Sequence, residues 1–99
     1  MKITLLKFGA VWCGPCVALS KAKTLEKFAR AHPEVEVQKH DDTEKGSDKW
    51  SELADENGVK SMPTLVWKAG GKVLFRSSDV RAEAIEKQLL RAQKLAGGA

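Results

Sequence analysis

The sequence predicts an α/β fold of order β-α-β-α-β-β-α, with a four-stranded mixed sheet flanked by helices. Three observations point there. Short apolar runs alternate with segments whose apolar residues recur at helical spacing. A Gly70-Gly71 pair joins the last two strand-like runs and reads as a hairpin turn. The 99 residues, 42% hydrophobic and 30% charged, supply one modest core, so a single domain over 1–99 is expected, ordered from about 2 to 95.

The elements follow in order. Ile3 to Phe8 is short, apolar and contains Ile, Thr, Leu and Phe, as a buried strand does. Pro15 suits the first turn of a helix, where a missing N–H costs little. Ala18, Ala22, Leu25 and Ala29 then recur at helical spacing with Phe28 beside them, and Pro33 ends that helix. Val35 to Lys39 alternates like a half-covered strand, and the first strand, helix and second strand form a right-handed crossover. His40 to Ser47 is polar and reads as a loop. Asp48 to Asn57 is a short helix with Trp50, Leu53 and Ala54 on one side, stopped by Asn57-Gly58. Thr64 to Lys68 and Lys72 to Arg76 are the hairpin strands. Asp79 is the expected N-cap of a closing helix from Arg81 to about Leu95, with Ile85, Leu89 and Gln93 on one face and Leu90 alongside. Ala96-Gly97-Gly98-Ala99 reads as a frayed end.

Composition excludes several classes. Ordinary apolar content rules out a disordered tail. Two cysteines do not make a disulfide scaffold. A net charge of +4, from 17 basic and 13 acidic residues, is too weak to imply nucleic acid. No run reaches the roughly 18 apolar residues of a membrane span. Lys7 interrupts the N-terminal apolar run, which makes a poor signal peptide. The expectation is a cytoplasmic monomer without nucleic-acid or membrane partners.

The two cysteines carry the chemistry, as Cys13-Gly14-Pro15-Cys16. Half a zinc site has this spacing, but zinc needs two further ligands. His32 and His40 lie eight positions apart and match no finger spacing, so no metal is expected. The His40-Asp41-Asp42 triplet reads as a solvated loop. The cysteine pair sits at a strand-to-helix junction. Free N–H groups and the helix dipole there favour an anion at Cys13. Cys16, three residues on, reaches back to it. Gly14 permits close approach and Pro15 stiffens the turn. This suits a reversible dithiol–disulfide couple, with Cys13 the exposed attacking thiolate and Cys16 the more buried resolving thiol.

Trp12-Cys13-Gly14-Pro15-Cys16 resembles the active site of the thioredoxin family. Val59-Lys60-Ser61-Met62-Pro63-Thr64-Leu65 resembles that family's segment before the third core strand, and Gly71-Lys72-Val73 its hairpin. The similarity runs from Ile3 to about Leu95. It implies a thioredoxin-like fold and a protein disulfide reductase. It implies that Pro63 is cis and faces the cysteines, and that the Met62 backbone pairs with an extended substrate. Trp12, Gly14, Pro15, Met62, Pro63 and Thr64 are then substrate-binding residues. Electrons come from a thioredoxin-reductase-type donor, because no nucleotide-binding glycine motif is present, and no cofactor is expected.

Four departures from the family mark this chain. Its active-site strand starts at Ile3, where relatives begin with an extra strand and helix. Lys7 stands where the family places a buried aspartate; it is a base or cation towards Cys16, or it snorkels to solvent, the reading favoured from sequence. Val17 and Lys21 replace a lysine and a kinking proline, which predicts a straighter helix and a more apolar rim. Asp79 or a neighbouring serine replaces a glycine near the substrate groove. The rival readings are a glutaredoxin-like enzyme recycled by glutathione, a non-catalytic binding subunit on the same scaffold, and an oxidising or isomerising enzyme. The chain lacks the usual glutaredoxin Cys-Pro-Tyr-Cys motif, and Gly-Pro between the cysteines argues for reduction.

Overall fold

The computed structural model describes residues 2–97. Their elements are β1 (Ile3–Ala10), α1 (Gly14–Ala22), α2 (Thr24–Ala31), β2 (Glu36–Asp42), α3 (Asp48–Glu56), β3 (Thr64–Ala69), β4 (Lys72–Ser77) and α4 (Ala82–Leu95). The sheet runs β2-β1-β3-β4, with β1 parallel to β2 and antiparallel to β3. The mixed four-stranded sheet is the predicted one. The expected frayed end at Gly98 and Ala99 lies outside the described residues.

Side-chain alternation along β1 divides the core. Ile3 and Leu5 point to one face and join Leu19, Leu25, Phe28, Trp67, Ile85 and Leu89, so that α1, α2 and α4 cover it. Leu6 and Phe8 point to the other and meet Ala54 and Val66, with Trp50 and Leu53 of α3 packed on them. β1 is hydrogen-bonded on both edges and buried along nearly its whole length, which is why it reads as a continuous apolar run. Gly70 and Gly71 turn the β3–β4 hairpin with φ of 57° and 79°, a left-handed pair that glycine adopts freely.

The expected single straight helix is two. α1 stops at Ala22, Lys23 takes φ 55° and ψ 32°, and α2 restarts at Thr24. The Lys23 N–H bonds Ser20 O at 3.1 Å, and its carbonyl accepts from Lys27 N at 3.0 Å. The cause is phase. Cys16 and Leu19 are the buried residues of α1, and Leu25 and Phe28 those of α2. At about 100° per residue, a straight helix turns Leu25 and Phe28 away from the Cys16–Leu19 stripe. The break brings all four onto the sheet and leaves Ala18 and Ala22, expected inside, exposed.

Two further expectations are corrected. β2 continues through His40, Asp41 and Asp42, because β1 extends to Ala10 and pairs with them in register, overriding the low strand propensity of aspartate. Asp79 is not the cap of α4. Arg81 holds that position, and the Asp79 carboxylate lies two residues upstream, accepting from the Arg81 backbone at 3.3 Å and from its guanidinium at 2.7 and 2.9 Å. Leu90 faces outward at 61% exposure; Ala92 takes the core position instead.

Candidate active site

The end of β1 places the cysteines. Cys13 N–H bonds Ala10 O at 3.2 Å and turns the chain out of the sheet. Cys13 is the N-cap of α1, with extended backbone angles of φ −98° and ψ 119°. Its sulfur accepts from the Cys16 backbone N–H at 3.4 Å, the bond a capping side chain makes to a free first-turn donor. Its carbonyl accepts from Val17 N at 3.0 Å. Pro15 occupies the first turn, as expected.

The two thiols sit in different surroundings. Cys13 is half-buried and Cys16 is 2% exposed. Burial pushes the Cys16 thiol up to about 11. A hydrogen bond with the Cys13 sulfur adds to the rise, while a backbone contact with Ala10 and the positive charge of Lys7 oppose it. The Cys13 sulfur is therefore the accessible one, and Cys16 holds its proton at neutral pH.

The rim is apolar. Val11 and Trp12 are 56% and 47% exposed, Val17 is half-buried, and Gly14 and Pro15 are open to solvent. The Lys45 ammonium lies 5.8 Å from the centre of a Trp12 ring, within cation–π range. Lys21, Lys23 and Lys27 are solvated.

The Met62–Pro63 peptide is cis. Met62 is half-buried, while Pro63 and Thr64 are buried. Thr64 Oγ1 donates to Ser61 O at 2.6 Å and ties the loop to the start of β3. The antiparallel pairing of Phe8 with Thr64 brings this loop to the end of β1 from which the cysteine turn departs. Sequence segments almost fifty residues apart thus meet at one end of the two central strands.

Lys7 does not snorkel. It is 1% exposed, and its Nζ donates to Asp41 Oδ1 at 2.5 Å. β1 pairs Gly9 with Asp41, which sets the carboxylate one alternation ahead of the ammonium on the same face of the sheet. Burial without this partner would strand a charge, and that cost selects the pair. Asp41, which the sequence alone puts in a solvated loop, is a site residue that local pattern does not reveal. The signal was a lysine inside an otherwise apolar strand, which demands a carboxylate nearby.

His40 stacks on Phe8 at 5.3 Å, and burial holds its imidazole below the usual range. Asp42 is buried and accepts from Gly46 N at 3.1 Å. Among the described residues no cluster of three or more His, Cys, Asp or Glu side chains is arranged to hold a metal ion. No helix among them is long and apolar enough to cross a membrane.

Comparison with known proteins agrees with this geometry. The thioredoxin family profile matches residues 1–91. Thioredoxin-2 of Saccharomyces cerevisiae is 34% identical over 88 residues, spanning 89% of this chain and 78% of that one. Thioredoxin from Alicyclobacillus acidocaldarius is 39% identical over 72 residues, 72% of this chain and 62% of that one. The solved Fasciola hepatica thioredoxin superposes with a TM-score of 0.75 at 31% identity, over 92% of this chain and 81% of its own. With its reactive cysteine pair at the family's active-site position, the chain belongs to the thioredoxin family and is a thiol–disulfide oxidoreductase.

Proposed function

We propose that the protein reduces disulfides of other proteins in two steps at Cys13 and Cys16. The Cys13 thiolate attacks a substrate disulfide and forms a mixed disulfide, releasing one substrate thiolate. Cys16 then attacks Cys13, forms the intramolecular disulfide and releases the second thiol. The division of labour rests on one observation: Cys13 caps α1 at the surface, while Cys16 is buried with its thiol pushed up to about 11.

The cis-Pro63 loop supplies the docking edge, with the Met62 backbone offered to an extended substrate segment. Val11 and Trp12 contribute apolar contact. The oxidised pair is returned to the dithiol by a thioredoxin-reductase-type donor, in a reducing compartment such as the cytoplasm.

Turbidimetric reduction of insulin, coupled to thioredoxin reductase or to glutathione with glutathione reductase, tests this reading. Turnover is expected with the first donor and not the second, and Cys13→Ser abolishes it. An equilibrium potential well above about −200 mV would instead mark an oxidant or isomerase.

A further inference from the structure

The buried Cys16 must shed a proton before it can resolve a mixed disulfide, and burial, which pushes its thiol up to about 11, makes that slow near neutrality. The surroundings of its sulfur contain a group able to take that proton. Gly9 lies on β1 beneath the first turn of α1. A side chain placed there would meet Asp41 Oδ1 at 3.0 Å and Cys16 Sγ at 3.2 Å. The carboxylate of β2 and the sulfur of α1 therefore border one small space that exists because residue 9 has no side chain.

That space opens outward. Asp41 and Cys16 both line a cleft of about 290 Å³, together with Ala10, Val11, Val17, Ser20 and Lys21. The cleft is large enough for water. The Asp41 side chain is 35% exposed, whereas Lys7 is 1% exposed and donates to Asp41 Oδ1 from below. One end of the pair thus touches solvent and the other is anchored in the core. Among the described residues, the charged and titratable groups around the sulfur are Cys13 on the cap of α1, Lys21 on α1, Lys7 on β1 and Asp41 on β2; His40, next to Asp41 in sequence, stacks on Phe8 on the opposite face.

We propose that Asp41 is the proton acceptor for Cys16 in the resolving step, and that Lys7 is a positioning residue that holds the carboxylate over Gly9. This rests on the two-step reading above. In the mixed disulfide the Cys16 S–H gives its proton to Asp41, directly or through one water in the cleft. The resulting thiolate uses its electron pair to bond the Cys13 sulfur. The bond from Cys13 to the substrate sulfur breaks, and the substrate leaves as a thiolate with that pair. The Asp41 proton passes out through the cleft to the departing thiolate or to water. The cysteine pair is oxidised by two electrons and the substrate disulfide is reduced by two. Lys7 takes no part in the transfer; its hydrogen bond keeps the Asp41 carboxylate aimed.

The test separates the two steps. Reduced protein mixed with stoichiometric 5,5′-dithiobis(2-nitrobenzoate) releases one coloured thiolate when Cys13 attacks and a second when Cys16 resolves. Asp41→Asn is expected to slow the second release relative to the first by about a hundredfold at pH 7, the lower end of general-base effects. The deficit should shrink as pH rises towards about 11, where the Cys16 thiol ionises unaided. Asp41→Glu should recover part of the rate. Because Asp41→Asn leaves Lys7 without its counter-charge, the Lys7→Met, Asp41→Asn double variant is measured as well, with folding checked by circular dichroism. It must show the same pH-dependent deficit. A ratio of the two releases that matches wild type at every pH, in either folded variant, overturns the proposal. A wild-type protein that releases only one equivalent overturns the two-step reading itself, and the relay with it.

Discussion

The indole N–H of Trp67 donates to Gln88 Oε1 at 2.8 Å, inside the face of the sheet covered by α4. Trp67 is fully buried, so that donor has no water to fall back on. Gln88 turns its amide nitrogen to Ser77 Oγ and Asp79 O at 3.0 and 2.9 Å. One side chain thereby ties β3, the end of β4 and the entry to α4. Gln88→Ala should destabilise the protein by about 1–3 kcal/mol, the cost of a buried polar group left unmatched. Urea denaturation measures it; Gln88→Met, which fills the space but satisfies nothing, should recover little.

The Lys7–Asp41 pair predicts an asymmetry in stability. Removing Asp41 leaves a buried ammonium, and Asp41→Ala should cost about 3–5 kcal/mol. Removing Lys7 leaves a carboxylate that is 35% exposed and can hydrate, so Lys7→Met should cost much less. The double replacement should sit near Lys7→Met. Equal losses for the two single variants would contradict the burial described here. Chemical denaturation of the four proteins closes the cycle.

The elevated Cys16 thiol gives the reduced protein a pH signature. Its folded-state value, about 11, lies above the reference of 9.0, so the native state holds this proton more tightly than the unfolded chain does. The associated stability is complete below about 9 and is lost as pH rises towards 11. Thermal unfolding of the reduced protein should therefore fall across that window more steeply than that of Cys16→Ser. Scanning calorimetry in matched buffers reads the difference.

Lys23 sits at φ 55°, a conformation that costs a residue with a Cβ about 1 kcal/mol or somewhat more. Its side chain is exposed. Lys23→Gly should thus stabilise the protein by up to about 1 kcal/mol, less the entropy glycine adds to the unfolded chain. Destabilisation beyond about 1 kcal/mol would mean that the α1–α2 break is not held as described.

The sequence exposes those parts whose signals are local. β1 is an apolar run, the hairpin carries its two glycines, and the cysteine turn announces itself by composition. What stays hidden depends on pairing at a distance. No proline or glycine marks the break at Lys23, since it is imposed by the need of Leu25 and Phe28 to reach the sheet. His40, Asp41 and Asp42 look like a loop because strand propensity is local, while their partners Phe8, Gly9 and Ala10 are not. Lys7 looks able to reach solvent until Asp41 is known to be beside it. The cysteines were thus readable at once, and the carboxylate that faces one of them was not.

β1 is hydrogen-bonded to a strand on each side and carries the reactive turn at its end. Its amides should be among the last to exchange with deuterium, because no local opening frees a strand held on both edges. Cys16, 2% exposed, sits in the first turn of α1 just beyond that strand and is covered by the packing of α1 on the sheet. In a Cys13→Ser background its alkylation by a bulky maleimide should wait for α1 to lift from the sheet, so the resolving thiol doubles as a built-in gauge of opening at that layer.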